Sequence, residues 1–333
     1  MTIPTFSEVS LDFLHALQDA TTPEGLYRRG QGWGRRQAVW MRDGEERLKM
    51  GAALSRWSAR LEAEGWGSCR FDLRGARRGE IRADVENSPL AQRAGAPGKA
   101  ACSLLAGQFA GAFEELSQRP THALEIACRS AGESKCRFLI GPAHWIDAER
   151  FWTHEGLIQE ADPSSNPPDA EAREPIIRLS HAFWTGIDIN SEDEDAGALE
   201  RCGRRWSRSL SRRLERDFQA ARGVAASSAP ARVFKGFLAE SLRRWGWGAF
   251  TLDESRCEHG VISLFADSEM PRASRSILTG ALAGMFSQMA QADWNCVCEP
   301  SDAPEGGYRF QIAAVELRSD ASNAAIQDQE MRR

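Results

Sequence analysis

Four residues have the types and the spacing to do chemistry together: Cys102, Glu125, Cys128 and Cys136, in the pattern Cys-x22-Glu-x2-Cys-x7-Cys. Three soft thiolates and one carboxylate meeting at one point would give a divalent ion four protein donors, the coordination that Zn²⁺ prefers. Such a site leaves no open position for water, so the set points to structure or sensing and away from zinc hydrolysis. Two other readings of the same residues stand beside it. The three thiols could be unrelated buried cysteines with Glu125 at the surface, or His122, His144 or His154 could replace Glu125 as the fourth donor. The chain has eight cysteines. In a chain of this length, expected to be cytosolic, a disulfide framework is not expected, so clustered thiols lean towards metal and the others towards free buried thiols. Cys296 and Cys298 flank Val297 in an expected strand and point the same way, which leaves a second soft site as the alternative reading of that pair.

The elements that must position the four are readable from pattern. Lys99 to Leu116 carries Leu104, Leu105, Phe109 and Phe113 on an apolar helical face, and its small residues Gly107, Ala110 and Gly111 would admit a neighbouring backbone. Ala123 to Ala127 reads as a strand, Arg129 to Lys135 as a turn, and Cys136 to Ile140 as the returning strand. That hairpin would bring Cys128 and Cys136 together. Glu125 and Cys128, three apart, face opposite ways on a regular strand, so their convergence requires a bulge or an early strand end.

These elements occur twice. Leu61 to Gly67 (LEAEGWG), Phe71-Asp72 and Gly79 to Ile81 are echoed at a constant offset by Leu242 to Gly248 (LRRWGWG), Leu252-Asp253 and Gly260 to Ile262. Leu104 to Gly107 and Gly111 to Phe113 are echoed by Ile277 to Gly280 and Gly284 to Phe286, and Cys136 to Ile140 by Tyr308 to Ile312. In the second copy Arg275 and Tyr308 stand where Cys102 and Cys136 stand in the first, so that copy is expected to be metal-free. The expected division is a first domain over 1–159, a Pro- and acid-rich linker over 160–175, a second domain over 176–317 and a loose tail over 318–333.

Bulk properties set limits. With 42% apolar and 27% charged residues the chain is globular, and its formal net charge of −5 disfavours nucleic acid as a partner. The N-terminal stretch does not read as a secretory signal and no apolar run is long enough for a membrane span, so a cytoplasmic location is expected. Arg201, Arg205, Arg208, Arg212 and Arg216 share one face of an expected helix over 198–222, with Trp206, Leu210, Leu214 and Phe218 on another; a solvated face is the reading preferred over an anion-binding one. There are eleven tryptophans against two tyrosines. Trp66 and Trp247 follow the repeat as core anchors, and Phe109 and Phe113 could line an apolar pocket as easily as a plain core. The chain shows no phosphate-cradling Gly-rich loop, dinucleotide fingerprint or nucleophile elbow.

Asn87-Ser88-Pro89-Leu90-Ala91, Cys102 to Gly107, Glu125 to Cys128 and Cys136-Arg137-Phe138, together with the upstream stretch Gly30 to Ala38, resemble the vinyl-4-reductase domain family in order and spacing. The resemblance covers roughly residues 20–145, and more faintly 230–317. It implies α+β units of antiparallel sheet packed with helices, related to trafficking-complex and haem-nitric-oxide sensor folds, which often dimerise; here two copies would form an intrachain pseudo-dimer. It also implies zinc on Cys102, Glu125, Cys128 and Cys136. The implied function is binding of a small hydrophobic, aromatic or tetrapyrrole molecule as sensor, carrier or accessory factor acting through a protein partner. A vinyl reductase of bacteriochlorophyll synthesis or its accessory protein, and a structural adaptor, are the alternatives. Phenol-sensing members place a His and a Trp near the ligand, and residues 78–88 contain neither. No ATPase or DNA-binding output domain is recognisable, so a complete activator is not expected.

Overall fold

The computed structural model describes residues 6–42, 50–92, 102–146, 176–188, 196–226, 230–252, 262–266, 270–301 and 307–315. The expected linker over 160–175 and the tail over 318–333 lie outside these residues. The chain forms two compact units, one of residues 8–192 and one of residues 193–333 together with residues 1–7. Residues 176–188 group with the first unit.

In the N-terminal unit, helices α1 (Leu11–Ala20), α2 (Pro23–Arg42) and α3 (Met50–Ala63) precede strands β2 (Ser68–Asp72) and β3 (Ile81–Glu86). Helix α4 (Ser103–Ser117) follows, then the hairpin β4 (Thr121–Ala127) and β5 (Cys136–Pro142). The four strands make one antiparallel sheet in the order β2-β3-β5-β4. Inward residues Cys69, Ala83, Val85, Phe138 and Ile140 are buried under α4, every residue of which from Ser103 to Phe113 is buried. Trp57 of α3 stacks on Phe71 of β2 at 5.3 Å and meets Phe109 of α4 edge-on at 5.6 Å, and Phe109 meets Phe138 at 5.0 Å. This aromatic layer joins helix to sheet.

Helix α4 is also covered by α2, and glycine makes that possible. A Cβ at Gly30 would strike the carbonyl oxygen of Leu104, and one at Gly107 the carbonyl oxygen of Tyr27. The small residues foreseen in the α4 stretch thus serve direct backbone contact. At the far side of α2, helix α5 (His181–Asp188) follows β6 (Ile176–Ser180), and the buried Arg29 donates to the carbonyl oxygen of Ile187 in the last turn of α5 at 2.6 Å. Strand β6 pairs with β1 (Phe6–Ser10), most of which belongs to the same unit, and Arg178 N–H donates to Glu64 C=O beside the Gly-Trp-Gly turn.

The C-terminal unit repeats this order. Helices α6 (Ala196–Arg222) and α7 (Ala231–Arg244) precede β7 (Phe250–Leu252), β8 (Ile262–Ala266), α8 (Arg272–Ala290), β9 (Trp294–Pro300) and β10 (Tyr308–Ala314), and the strands pair as β7-β8-β10-β9. The helix pair has the same backbone contact: a Cβ at Gly203 of α6 would strike Ile277 C=O, and one at Gly280 of α8 would strike Glu200 C=O. Helix α6 thus holds the place of α2, a correspondence that the sequence reading did not draw. Gly30-x-x-Trp33 and Gly203-x-x-Trp206 carried the signal. Trp33 lies 4.7 Å from Trp66, and Trp206 lies 5.4 Å from Trp247. Trp206, Leu210, Leu214 and Phe218 are buried, and the five arginines of the stripe are exposed. Ser7 Oγ donates to Gly246 C=O at 2.9 Å, at the turn equivalent to the one that receives Arg178.

Candidate metal centre

Among the described residues one group of potential ligands converges, and it consists of Cys102, Glu125, Cys128 and Cys136, with donor atoms all within 4.8 Å of one another. Each comes from a different local structure. Cys102 is the last residue before α4 and its carbonyl oxygen already accepts the N–H of Ala106. Cys136 opens β5, opposite Val85 of β3. Cys128 follows the last residue of β4 and caps one turn of 3-10 helix over Arg129–Ala131, which ends at Gly132 with φ 90°.

Glu125 reaches the group through a bulge. It sits opposite Phe138, but the next paired residue is Ala127, opposite Arg137, so Ile126 is the extra residue. Ile126 is turned outwards and is 47% exposed. The bulge resets the alternation of β4, and Glu125 and Cys128 face the same way, as the sequence required.

The sulfur geometry fits one ion. Cys102 Sγ lies 3.6 Å from Cys136 Sγ, and Cys128 Sγ lies 3.8 Å from Cys136 Sγ. These are far too long for disulfides. A tetrahedral centre with metal–sulfur bonds of about 2.3 Å has sulfur–sulfur edges of about 3.8 Å. The carboxylate splits its two oxygens: Oε2 accepts the backbone N–H of Cys102 at 3.2 Å, and Oε1 is buried with no hydrogen-bond partner. A buried carboxylate oxygen without a donor is costly unless a cation takes it. Serines support the sulfurs, with Ser88 Oγ 3.6 Å from Cys102 Sγ and Ser130 Oγ 3.0 Å from Cys128 Sγ. Asn87, at φ 56°, accepts Arg129 at 2.9 Å and so ties the Asn-Ser element to the turn after Cys128. Sequence reasoning took Asn87-Ser88 as family pattern only and missed Ser130; proximity in space is what gives both serines a role.

Without an ion, burial favours the protonated forms of Cys102 and Glu125. Burial drives Cys102 and Glu125 well above their ordinary ranges, reinforced by neighbouring thiols. Cys128 is pushed the other way because Cys102 and Cys136 both bond to its sulfur. A divalent cation would reverse the preference for protonated forms and hold the four donors in their ionised forms.

The other candidates lie elsewhere. His122 is bonded through Nδ1 to the buried Tyr27 hydroxyl at 3.2 Å, and His144 packs on Trp145. His154 and Cys257 lie outside the described residues. Cys69 is on the same sheet row as Cys136, but Val85 stands between them, so the two are separated by two strand spacings, about 9.5 Å. Its thiol is pushed up by burial to about 12. Cys296 and Cys298 share one side of β9, as expected, but are in no group of three or more potential ligands among the described residues. No helix among the described residues is long and apolar enough to cross a membrane.

Residues 81–142 match the family model of the vinyl-4-reductase domain, and that stretch encloses all four cluster residues. Among solved structures, the chain is similar to the phenol-responsive sensory domain of the transcription activator PoxR with phenol, at 20% identity and a TM-score of 0.34, over 39% of this chain and 71% of that one. It is also similar to a vinyl-4-reductase family protein from Methanocaldococcus jannaschii, at 19% identity and a TM-score of 0.26, over 34% of this chain and 66% of that one. A search of curated proteins gives no match. The stretch that matches the vinyl-4-reductase domain is thus built here as a helix laid across an antiparallel sheet, with a buried cysteine–glutamate cluster at its edge.

Proposed function

We propose that the protein binds a small hydrophobic or aromatic molecule, a tetrapyrrole intermediate included, and passes its bound state to a protein partner, with a structural zinc ion on Cys102, Glu125, Cys128 and Cys136. The observation that carries the reading is the closed four-donor cluster inside the stretch that matches the vinyl-4-reductase domain. Three thiolates favour zinc over the hard divalent ions, and four protein donors favour a structural over a catalytic role. When bound, the ion would supply a fixed link among groups distant in sequence. The residues around it do the rest: Cys102 anchors the start of α4, and Cys128 and Cys136 hold the hairpin that carries Phe138. The aromatic layer of Trp57, Phe71, Phe109 and Phe138 is packed core, and α4 contributes to both the layer and the cluster. A ligand that moves α4 therefore acts on the same helix that the ion pins. The C-terminal unit is read as a degenerate copy, and the two copies as an intrachain counterpart of a dimer.

The test is elemental analysis of the purified protein with native mass spectrometry. About one zinc ion per chain is expected, the content of a single four-donor site. A co-purifying small molecule is the expected second finding. Zinc-free protein with full thermal stability would defeat the metal assignment, and a protein that releases no small molecule and takes up no aromatic probe would defeat the binding role.

A further inference from the structure

We infer that Arg275 does in the C-terminal unit what the metal ion does in the N-terminal one: it is a built-in cation that fastens the start of the central helix to the start of the last strand. The comparison rests on reading an ion into the first cluster, and the observations on Arg275 stand by themselves. Arg275 is in the first turn of α8, and Tyr308 is the first residue of β10. These are the places of Cys102 and Cys136. The guanidinium lies over the Tyr308 ring at 3.7 Å from its centroid, well within cation–π range. Its Nε is buried and has no hydrogen-bond partner; the guanidinium faces the Tyr308 ring and also lies close enough to Cys298 to act on its thiol.

The surrounding residues have lost the means to hold a metal. Strand β9 pairs with β10 in unbroken register from Tyr308–Pro300 to Ala314–Trp294, without the bulge that turns Glu125 inwards in β4. Cys298 sits opposite Phe310 as Glu125 sits opposite Phe138, and Pro300, which has no donor, faces Tyr308. Burial keeps the Cys298 thiol protonated, at about 11. A guanidinium on a neutral ring needs no deprotonated partners, so the helix–hairpin link survives where three thiolates would not form. One unit is then fastened by an exchangeable ion and the other by a permanent side chain, so loss of metal should loosen one hairpin and spare the other.

Amide hydrogen exchange on the full-length, zinc-loaded protein tests this. R275M is expected to speed exchange about tenfold in residues 294–300 and 308–314, the size of a desolvated cation–π contact, with zinc content unchanged. Y308F keeps the ring and should stay near wild type, and R275K, which keeps the charge but not the planar group, should fall between wild type and R275M. Adding EDTA to wild type should speed exchange in residues 121–127 and 136–142 and leave 294–314 as it was. Wild-type exchange in R275M, or an R275K protein as loose as R275M, would overturn the role of the charge. Loosening of 294–314 by EDTA would overturn the division between the two fasteners. Should R275M fail to fold, the other two variants still decide, since Y308F must match wild type and R275K must fold with exchange in 294–314 faster than wild type. A wild-type protein without zinc would sink the reading of the first cluster, and the R275M and R275K comparison would still decide the role of Arg275.

Discussion

Glu125 is the residue on which the cluster turns. A carboxylate at the inner face of a sheet is unfavourable unless something compensates it, and half of its capacity is met by the Cys102 N–H while Oε1 has no donor. Replacing Cys128 with serine removes one sulfur and leaves the other acids crowded around an incomplete site. The expected result is loss of bound zinc and a fall of about 10 °C in the melting temperature, read by elemental analysis and differential scanning calorimetry. A C128S protein that keeps its metal and its Tm would show that the ligand set is wrong. Phe109 touches Trp57, Phe71 and Phe138 and is fully buried, so Phe109→Ala should cost about 3–5 kcal/mol in urea unfolding. A cost under about 1 kcal/mol would show that Phe109 is not part of a packed core.

The bulge in β4 and the helix pair α2–α4 are the elements that build the site. Deleting Ile126 would remove the extra residue, and Glu125 and Cys128, then two positions apart on a regular strand, would still share one face. Zinc content should then be kept, with the far-ultraviolet circular dichroism of a folded protein; a folded deletion variant that has lost its zinc would mean that the shared face alone does not set the site. Glycine substitutions separate close packing from mere flexibility. Gly107→Ala places a methyl group against Tyr27 C=O and should destabilise by about 1–3 kcal/mol or more, because helix backbones must part. Gly236→Ala, in α7 with nothing within 4 Å of the new carbon, should stabilise by up to about 1 kcal/mol. Opposite signs for one chemical change, measured by chemical denaturation, would establish the backbone contact; equal signs would refute it.

At the scale of the whole molecule, each unit completes itself with a segment far away in sequence. Residues 176–188 lie against α2 and the Gly65 turn, and Ser7 lies against the Gly246 turn. Cutting the chain in the Pro-rich segment would therefore remove β6 and α5 from the N-terminal unit and strip cover from Trp33, which contacts Phe183 at 5.2 Å. A fragment ending at residue 159 should be less soluble and less stable than one ending at residue 192, as judged by yield and melting temperature. Equal behaviour of the two fragments would show that α5 adds nothing to that unit.

By itself the sequence pointed to the cysteine–glutamate set, to a bulge or an early strand end in β4, to the hairpin that joins Cys128 to Cys136, and to the repeat of Gly-Trp-Gly turns. Those features are local or periodic: spacing, alternation and turn residues act within a few positions. It also carried the paired Gly-x-x-Trp signal of α2 and α6, which went unread because one copy is hidden in a run of arginines. Only the tertiary structure decided where the units divide, that His122 serves Tyr27 and not the cluster, and that Cys69 lies a strand too far away. The same holds for Arg275 and Tyr308, whose substitution for two cysteines reads as simple loss until the guanidinium is seen on the ring. These are matters of which surfaces cover which, settled by burial and backbone contact between residues remote along the chain, and no short-range pattern encodes them.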